Sequence, residues 1–250
     1  MTEPRVLTCA DAGYFHFLPF LEANVERKFG ALPLIYDLGM TPEQRASLRS
    51  EVRRVPVPED FAGHAHGFVR ATHKPACIAD GLALSPGGIL YADADLLFAG
   101  AVTRADLGDA DVAVTPRTRR EQRPDYLAKG AINAGLVYFA ATPAARALVA
   151  AWGEACDAGE VGDQRALSDL LAGFDLLGPL GAVTRDGMTV RKLDAGIFND
   201  NRLKTGRVLH FKNAGRDPRV LAKLERFRRL EERHPALLAA YLTLRRAVGV

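Results

Sequence analysis

Ile89-Leu90-Tyr91-Ala92-Asp93-Ala94-Asp95-Leu96-Leu97-Phe98 reads as an apolar core strand with two carboxylates set into its middle. Side chains at i and i+2 of a strand share a face, so Asp93 and Asp95 are expected on one side of a sheet. Two unpaired negative charges that close repel at real cost. A divalent cation removes the conflict. Hard carboxylate oxygens suit Mg2+ or Mn2+, which keep positions open for water and substrate phosphates. The competing reading is a strand end at which both acids reach solvent or cap a loop, because Asp-x-Asp recurs by chance.

Outward from this segment the chain alternates strand and helix signals. Gly87-Gly88 makes a turn before it. Upstream, Val6-Leu7-Thr8-Cys9-Ala10 is a buried first strand ending at Asp11-Ala12-Gly13, and apolar residues recur at helical steps from Tyr14 to Phe29. Leu34 to Leu38 is a second strand. Thr41-Pro42-Glu43-Gln44 supplies a cap, a proline at the first helical position and a capping-box glutamine. Val52 to Val57 is a third strand, and Pro56 and Pro58 make it short or marginal to the sheet. Downstream, Val112-Ala113-Val114 and Leu136 to Phe139 are strands, and Thr142-Pro143 opens a helix to about Cys156 that carries Trp152 as core. Asp163 is expected to cap the next helix, through about Leu171. Asp186-Gly187 is the signal of a two-residue hairpin, and Val208 to Phe211 is the last strand. This alternation predicts an α/β fold: a mixed sheet flanked by helices over residues 1–217, with a helical extension over 218–250.

The 250 residues, 48% hydrophobic and 25% charged, suffice for a large core and exclude disorder. Thirty-three basic against 30 acidic side chains leave +3, too slight a balance to imply nucleic acid. No apolar run reaches the roughly 18 residues of a spanning helix, and the first residues lack the basic-then-apolar order of a leader, so a cytoplasmic location is expected. Cys9, Cys77 and Cys156 are odd in number and widely spaced, and are expected to be reduced and buried. His64, His66 and His73 form no ligand spacing. Arg226, Arg228, Arg229, Arg245 and Arg246 accompany an apolar stripe after Leu221, which suggests peripheral contact with an anionic inner membrane face.

Lys74-Pro75, Asp80-Gly81-Leu82, Gly87-Gly88 and the Asp93-Ala94-Asp95 segment resemble the metal-binding region of nucleotide-sugar glycosyltransferases with the GT-A fold. Asn133-Ala134-Gly135 ahead of an apolar strand is similar to that family's Asn-x-Gly segment. Asp163-Gln164 looks like its Asp-Gln pair, and His210 stands where the third metal ligand falls in the glycogenin-like and lipopolysaccharide galactosyltransferase-like branch. The ordered matches span about residues 5 to 215.

The resemblance implies a Rossmann-like mixed sheet, Mn2+ or Mg2+ on Asp93, Asp95 and His210, and transfer of a sugar from a nucleotide diphosphate, expected to be UDP, to a hydroxyl acceptor with retention. It also implies roles for single residues: Asp11 toward the base or ribose, Asn133 and Gly135 beside the donor sugar, and Asp163 and Gln164 in the catalytic region. Lys74 replaces the branch's usual arginine and supplies charge without a bidentate fork. After His210 the segment Phe211-Lys212-Asn213-Ala214-Gly215-Arg216 lacks the branch's proline and tryptophan, so Lys212 and Arg216 are the candidates for diphosphate contact. Each position also has a plainer explanation: Asp11 and Asn133 as turn residues, Asp163 as a cap, His210 as a core histidine.

Rival readings are a sugar-1-phosphate nucleotidyltransferase, which wants a glycine-rich basic loop after the first strand, and an inactive GT-A-like domain that binds a glycan or protein. The haloacid-dehalogenase nucleophile motif is excluded by Leu97, which stands where that family needs Thr or Val.

Overall fold

The computed structural model describes residues 2–56, 72–157 and 162–248. Eight strands form one mixed sheet in the order β3-β2-β1-β4-β7-β6-β9-β8. They are β1 (Arg5–Ala10), β2 (Leu34–Asp37), β3 (Val52–Arg54), β4 (Ile89–Ala92), β6 (Val112–Pro116), β7 (Ile132–Phe139), β8 (Gly181–Arg185) and β9 (Met188–Lys192). β5 (Leu96–Phe98) and β10 (Val208–His210) make a separate antiparallel pair. β3 is an edge strand, as its flanking prolines require; Val57 lies outside the described residues.

Among the described residues, the helices of eight or more residues are α1 (Leu18–Phe29), α2 (Lys74–Leu84), α3 (Pro143–Asp157), α4 (Asp163–Leu170), α5 (Pro218–Arg233) and α6 (Pro235–Ala247). Neighbouring strand residues go to opposite faces. Leu7, Tyr91 and Val137 join Ile78, Leu148 and Trp152, whereas Val6, Leu90 and Leu136 join Leu21 and Val25. The α/β expectation holds, with core on both sides of the sheet. Asp186 and Gly187, at φ 50° and 78°, form the tight turn between β8 and β9.

Cys77 and Cys156 are buried, but Cys9 is only half-buried; none of the three is in a disulfide. His73 is buried at the start of α2, and His64 and His66 lie outside the described residues.

The C-terminal segment breaks at His234-Pro235 into two helices. Leu224, Leu238 and Leu242 pack into a third core cluster with Phe17, Leu209 and Phe211. Arg228 is not a solvated cation: its guanidinium lies over the rings of Phe17 and Phe20, at 5.2 and 4.6 Å. Arg246 likewise turns inward and donates to the Thr205 carbonyl at 3.0 Å. Among the described residues, no helix is long and apolar enough to cross a membrane.

Candidate active site

β4 ends at Ala92, so Asp93-Ala94-Asp95 is a turn and not part of a continuous strand. The turn closes with the Leu96 N–H on the Asp93 carbonyl, 3.1 Å. Strand alternation therefore does not bring the two acids together. The two carboxylates converge because the chain bends between them, and β5 then leaves the main sheet to pair with β10. Leu96 sits opposite His210, which carries the imidazole to the acids. His210 Nε2 lies 3.4 Å from Asp95 Oδ1 and 3.9 Å from Asp93 Oδ2. One ligand atom from each of the three residues falls within 4.8 Å of the others.

The donor set suits a divalent cation. The Nδ1 atom of His210 faces the side-chain oxygen of Asn199 at 2.7 Å, and the Asn199 amide nitrogen donates to Thr115 Oγ1 at 3.0 Å. With its oxygen on this side Asn199 accepts a hydrogen from Nδ1, and the ring turns Nε2 toward Asp93 and Asp95, where it would be free to ligate a cation. A Cβ at Gly135 would fall 2.5 Å from His210 Cε1 and 2.9 Å from both Asp93 Oδ2 and Asn133 Oδ1. The backbone thus needs glycine at 135 for the three side chains to meet. Mg2+ or Mn2+ fits two carboxylates and one imidazole, with positions open to substrate oxygens.

β7 supplies the floor. Its register with β6 jumps from Val114↔Val137 to Thr115↔Asn133, a wide irregularity beside the site. There Asn133 folds back to accept the Gly135 N–H at 2.9 Å. Asp93 N–H bonds the Gly135 carbonyl at 2.8 Å, which ties the acidic turn to the same irregularity.

Lys74, buried at the first turn of α2, bridges two acids: its ammonium is 3.0 Å from Asp93 Oδ1 and 3.0 Å from Asp163 Oδ2. Burial alone would push the Asp93 carboxyl up. Lys74 and His210, together with the Tyr91 hydroxyl donating at 2.8 Å, outweigh burial and hold it below the usual carboxylate range. Burial would likewise lower Lys74, but Asp163 and Asp93 more than reverse this and keep it protonated.

Asp163 is not the helix cap. Gly162 occupies that position and Asp163 is the first residue of α4, where its charge suits the helix dipole. The core Trp152 fixes this start by donating its indole N–H to the Asp163 carbonyl at 2.8 Å. The Gln164 side chain is held by backbone: its oxygen accepts the Ala134 N–H at 3.3 Å and its nitrogen donates to the Lys129 carbonyl at 2.7 Å.

The acidic turn, His210 and the start of α4 face one cavity of about 610 Å³. Of the residues singled out in the sequence, Lys74, Asp93, Asp95, Asn133, Gly135 and His210 line it, as do Asp163, Gln164, Lys212 and the exposed Arg216. Asp11 does not. It accepts the Tyr14 N–H at 2.9 Å and lines a smaller hollow of about 170 Å³, which shares Tyr14, Lys74, Asp93 and Asp95 with the main cavity. Lys212 is 3.2 Å from Glu121, and burial lowers its pKa despite that partner. Sequence reasoning missed Asn199, Thr115, Tyr91 and Tyr126. Asn199 sits in the polar run Asn199-Asp200-Asn201 ahead of β10, and that polarity before a core strand is its one visible signal.

No protein-family model matches the chain, and no curated protein matches it by sequence. Solved structures do. A galactosyltransferase, LgtC, determined in complex with donor and acceptor sugar analogs, aligns with 96% of this chain and 96% of its own, at TM-score 0.56 and 19% identity. A glycosyltransferase involved in the glycosylation of the major capsid of PBCV-1 aligns with 82% of this chain and 92% of its own, at TM-score 0.50 and 11% identity. The chain therefore has the GT-A-like glycosyltransferase fold. Within it, the architecture is similar to that of LgtC over nearly the full length.

Proposed function

We propose that the protein is a metal-dependent glycosyltransferase that moves a sugar from a nucleotide diphosphate, UDP in the simplest reading, to a hydroxyl acceptor with retention. One observation carries the reading: the convergence of Asp93, Asp95 and the Asn199-oriented His210 at a cavity that also holds Asn133 and Asp163. These three side chains would hold Mn2+ or Mg2+. Bound there, the metal supplies positive charge that stabilises the diphosphate leaving group. Lys212 and Arg216, on the segment following β10, would share that task. The hollow beside Asp11 is the candidate nucleoside pocket, and Asn133 and Asp163 would orient sugar hydroxyls.

Retention is supported by the state of Asp163. An inverting transferase needs a carboxylate free to meet the acceptor hydroxyl, whereas the Asp163 carboxylate is occupied by the buried Lys74 ammonium at 3.0 Å. Gln164, bonded to Ala134 and Lys129, would position the cavity floor beneath the sugar. The segment 1–217 would form the transferase unit, with α5 and α6 as an appended layer. The apolar side chains that α6 leaves exposed, with Arg245 beside them, favour peripheral contact with anionic membrane.

A panel of nucleotide sugars with manganese, read by thermal shift and product formation, tests the reading. A UDP-sugar is expected to stabilise the protein most. Proton NMR of the first product then reports its anomeric configuration: an α-linked donor should give an α-linked product, and a β-linked product would restore Asp163 or another acid as base.

A further inference from the structure

A second, larger hollow of about 1050 Å³ adjoins the metal-site cavity, and Tyr126 lines both. Its charge is unbalanced. Arg119, Arg120, Arg123, Arg202, Lys204 and Arg246 line it against three carboxylates.

Those carboxylates are committed elsewhere. Glu121 accepts from Lys212 at 3.2 Å and from Asn201 at 2.8 Å. Asp194 accepts the Gly196 N–H at 2.8 Å. Asp200 takes the backbone N–H groups of Arg202, Lys204, Thr205 and Gly206 at 2.7 to 2.9 Å. On the cationic side, Arg246 is held by the Thr205 carbonyl, and Arg123 lies over the Tyr126 ring at 4.9 Å. Arg119, Arg120, Arg202 and Lys204 have no carboxylate partner among the described residues. Six cations against three carboxylates leave the lining a surplus of positive charge that focuses a positive potential into the hollow, and the guanidinium fork matches phosphate and carboxylate oxygens in pairs.

We propose that this hollow is the acceptor subsite, and that the acceptor is a saccharide carrying oxyanion groups, held by Arg119, Arg120, Arg202 and Lys204. The assignment of an acceptor rests on the transferase reading, in which the neighbouring cavity takes the donor. A neutral sugar would leave the four cations unmatched. An anionic one satisfies them while its reacting hydroxyl passes Tyr126 toward the donor.

The test is calorimetric titration of the full chain, without donor, using trigalacturonic acid, glucose 6-phosphate and neutral maltotriose as probes. An Arg119→Ser, Arg202→Ser, Lys204→Ser triple variant is run beside it, and UDP binding with manganese is measured on both proteins. At least one anionic probe is expected to bind roughly tenfold more tightly than maltotriose, and the triple variant should lose that preference while binding UDP unchanged. The stronger of the two anionic probes identifies the group as carboxylate or phosphate. Equal binding of charged and neutral probes overturns the proposal. So does an anionic preference that survives in the triple variant, which would show the probe entering the donor cavity instead. Anionic binding that maps to the cluster in a protein that takes no UDP under any metal condition sinks the transferase reading, and with it the acceptor role.

Discussion

Asn199 fixes the ring of His210: its side-chain oxygen lies 2.7 Å from Nδ1, while its amide nitrogen is anchored on Thr115, 3.0 Å away. In the proposed metal site this bond leaves Nε2 available as a ligand. Asn199→Ala is expected to weaken manganese binding by roughly 10 to 100-fold, the usual cost of losing such a supporting contact. Asn199→Asp keeps an acceptor for the Nδ1 hydrogen and should lose less. Manganese titration followed by electron paramagnetic resonance measures both.

Gly135 is tested by adding one carbon. The Cβ of alanine would fall 2.5 Å from the His210 ring and 2.9 Å from Asp93, and neither neighbour is the free end of a flexible chain. Gly135→Ala should therefore displace the ligands and cut metal affinity at least roughly tenfold, with far-ultraviolet circular dichroism unchanged.

Asp37 gives a pH prediction remote from the site. Burial pushes its carboxyl up, but N–H groups of Met40 and Gly39, Arg45 at 2.8 Å and Arg54 at 2.9 Å more than reverse this and hold it below 3.8. A depressed folded pKa contributes stability that is present above the unfolded value of 3.8 and lost as pH falls through the folded one. Asp37→Asn should cost about 1–3 kcal/mol at neutral pH, and the difference from wild type should shrink below about pH 4. Urea denaturation at pH 7 and pH 3 reads both quantities.

Liposome flotation tests the C-terminal face. Leu237, Tyr241 and Leu244 on α6 and Val248 just past its end recur at three- and four-residue steps and are each 47 to 63% exposed. Recovery is expected to be higher with anionic than with neutral vesicles, and Leu244→Glu should reduce it. Equal recovery with both vesicle types removes the membrane role.

Much of this was legible in the residues. The apolar runs of β1, β2, β4 and β7, the Thr41-Pro42 and Thr142-Pro143 caps and the Asp186-Gly187 turn each carry local signals that the tertiary structure leaves intact. Asp93, Asp95 and His210 were legible as chemistry but not as geometry. Strand periodicity says nothing of a chain that turns at Ala94 to change sheets, and pairing between β5 and β10 is a contact over more than a hundred residues. Asn199 showed only as a polar residue ahead of a core strand, and its role comes from the bridge between Thr115 and His210, which no local pattern encodes. The basic hollow was equally hidden, because its arginines come from three separated segments.

Titration calorimetry of UDP with manganese, repeated in excess chelator and with Asp95→Ala, tests the metal-dependent donor site most directly. Binding of UDP should tighten at least roughly tenfold with manganese, because phosphate oxygens complete a coordination sphere that Asp93, Asp95 and His210 leave open. Asp95→Ala should abolish that gain. Equal UDP affinity with manganese and in chelator, or a gain that survives Asp95→Ala, would contradict the assignment of these three residues.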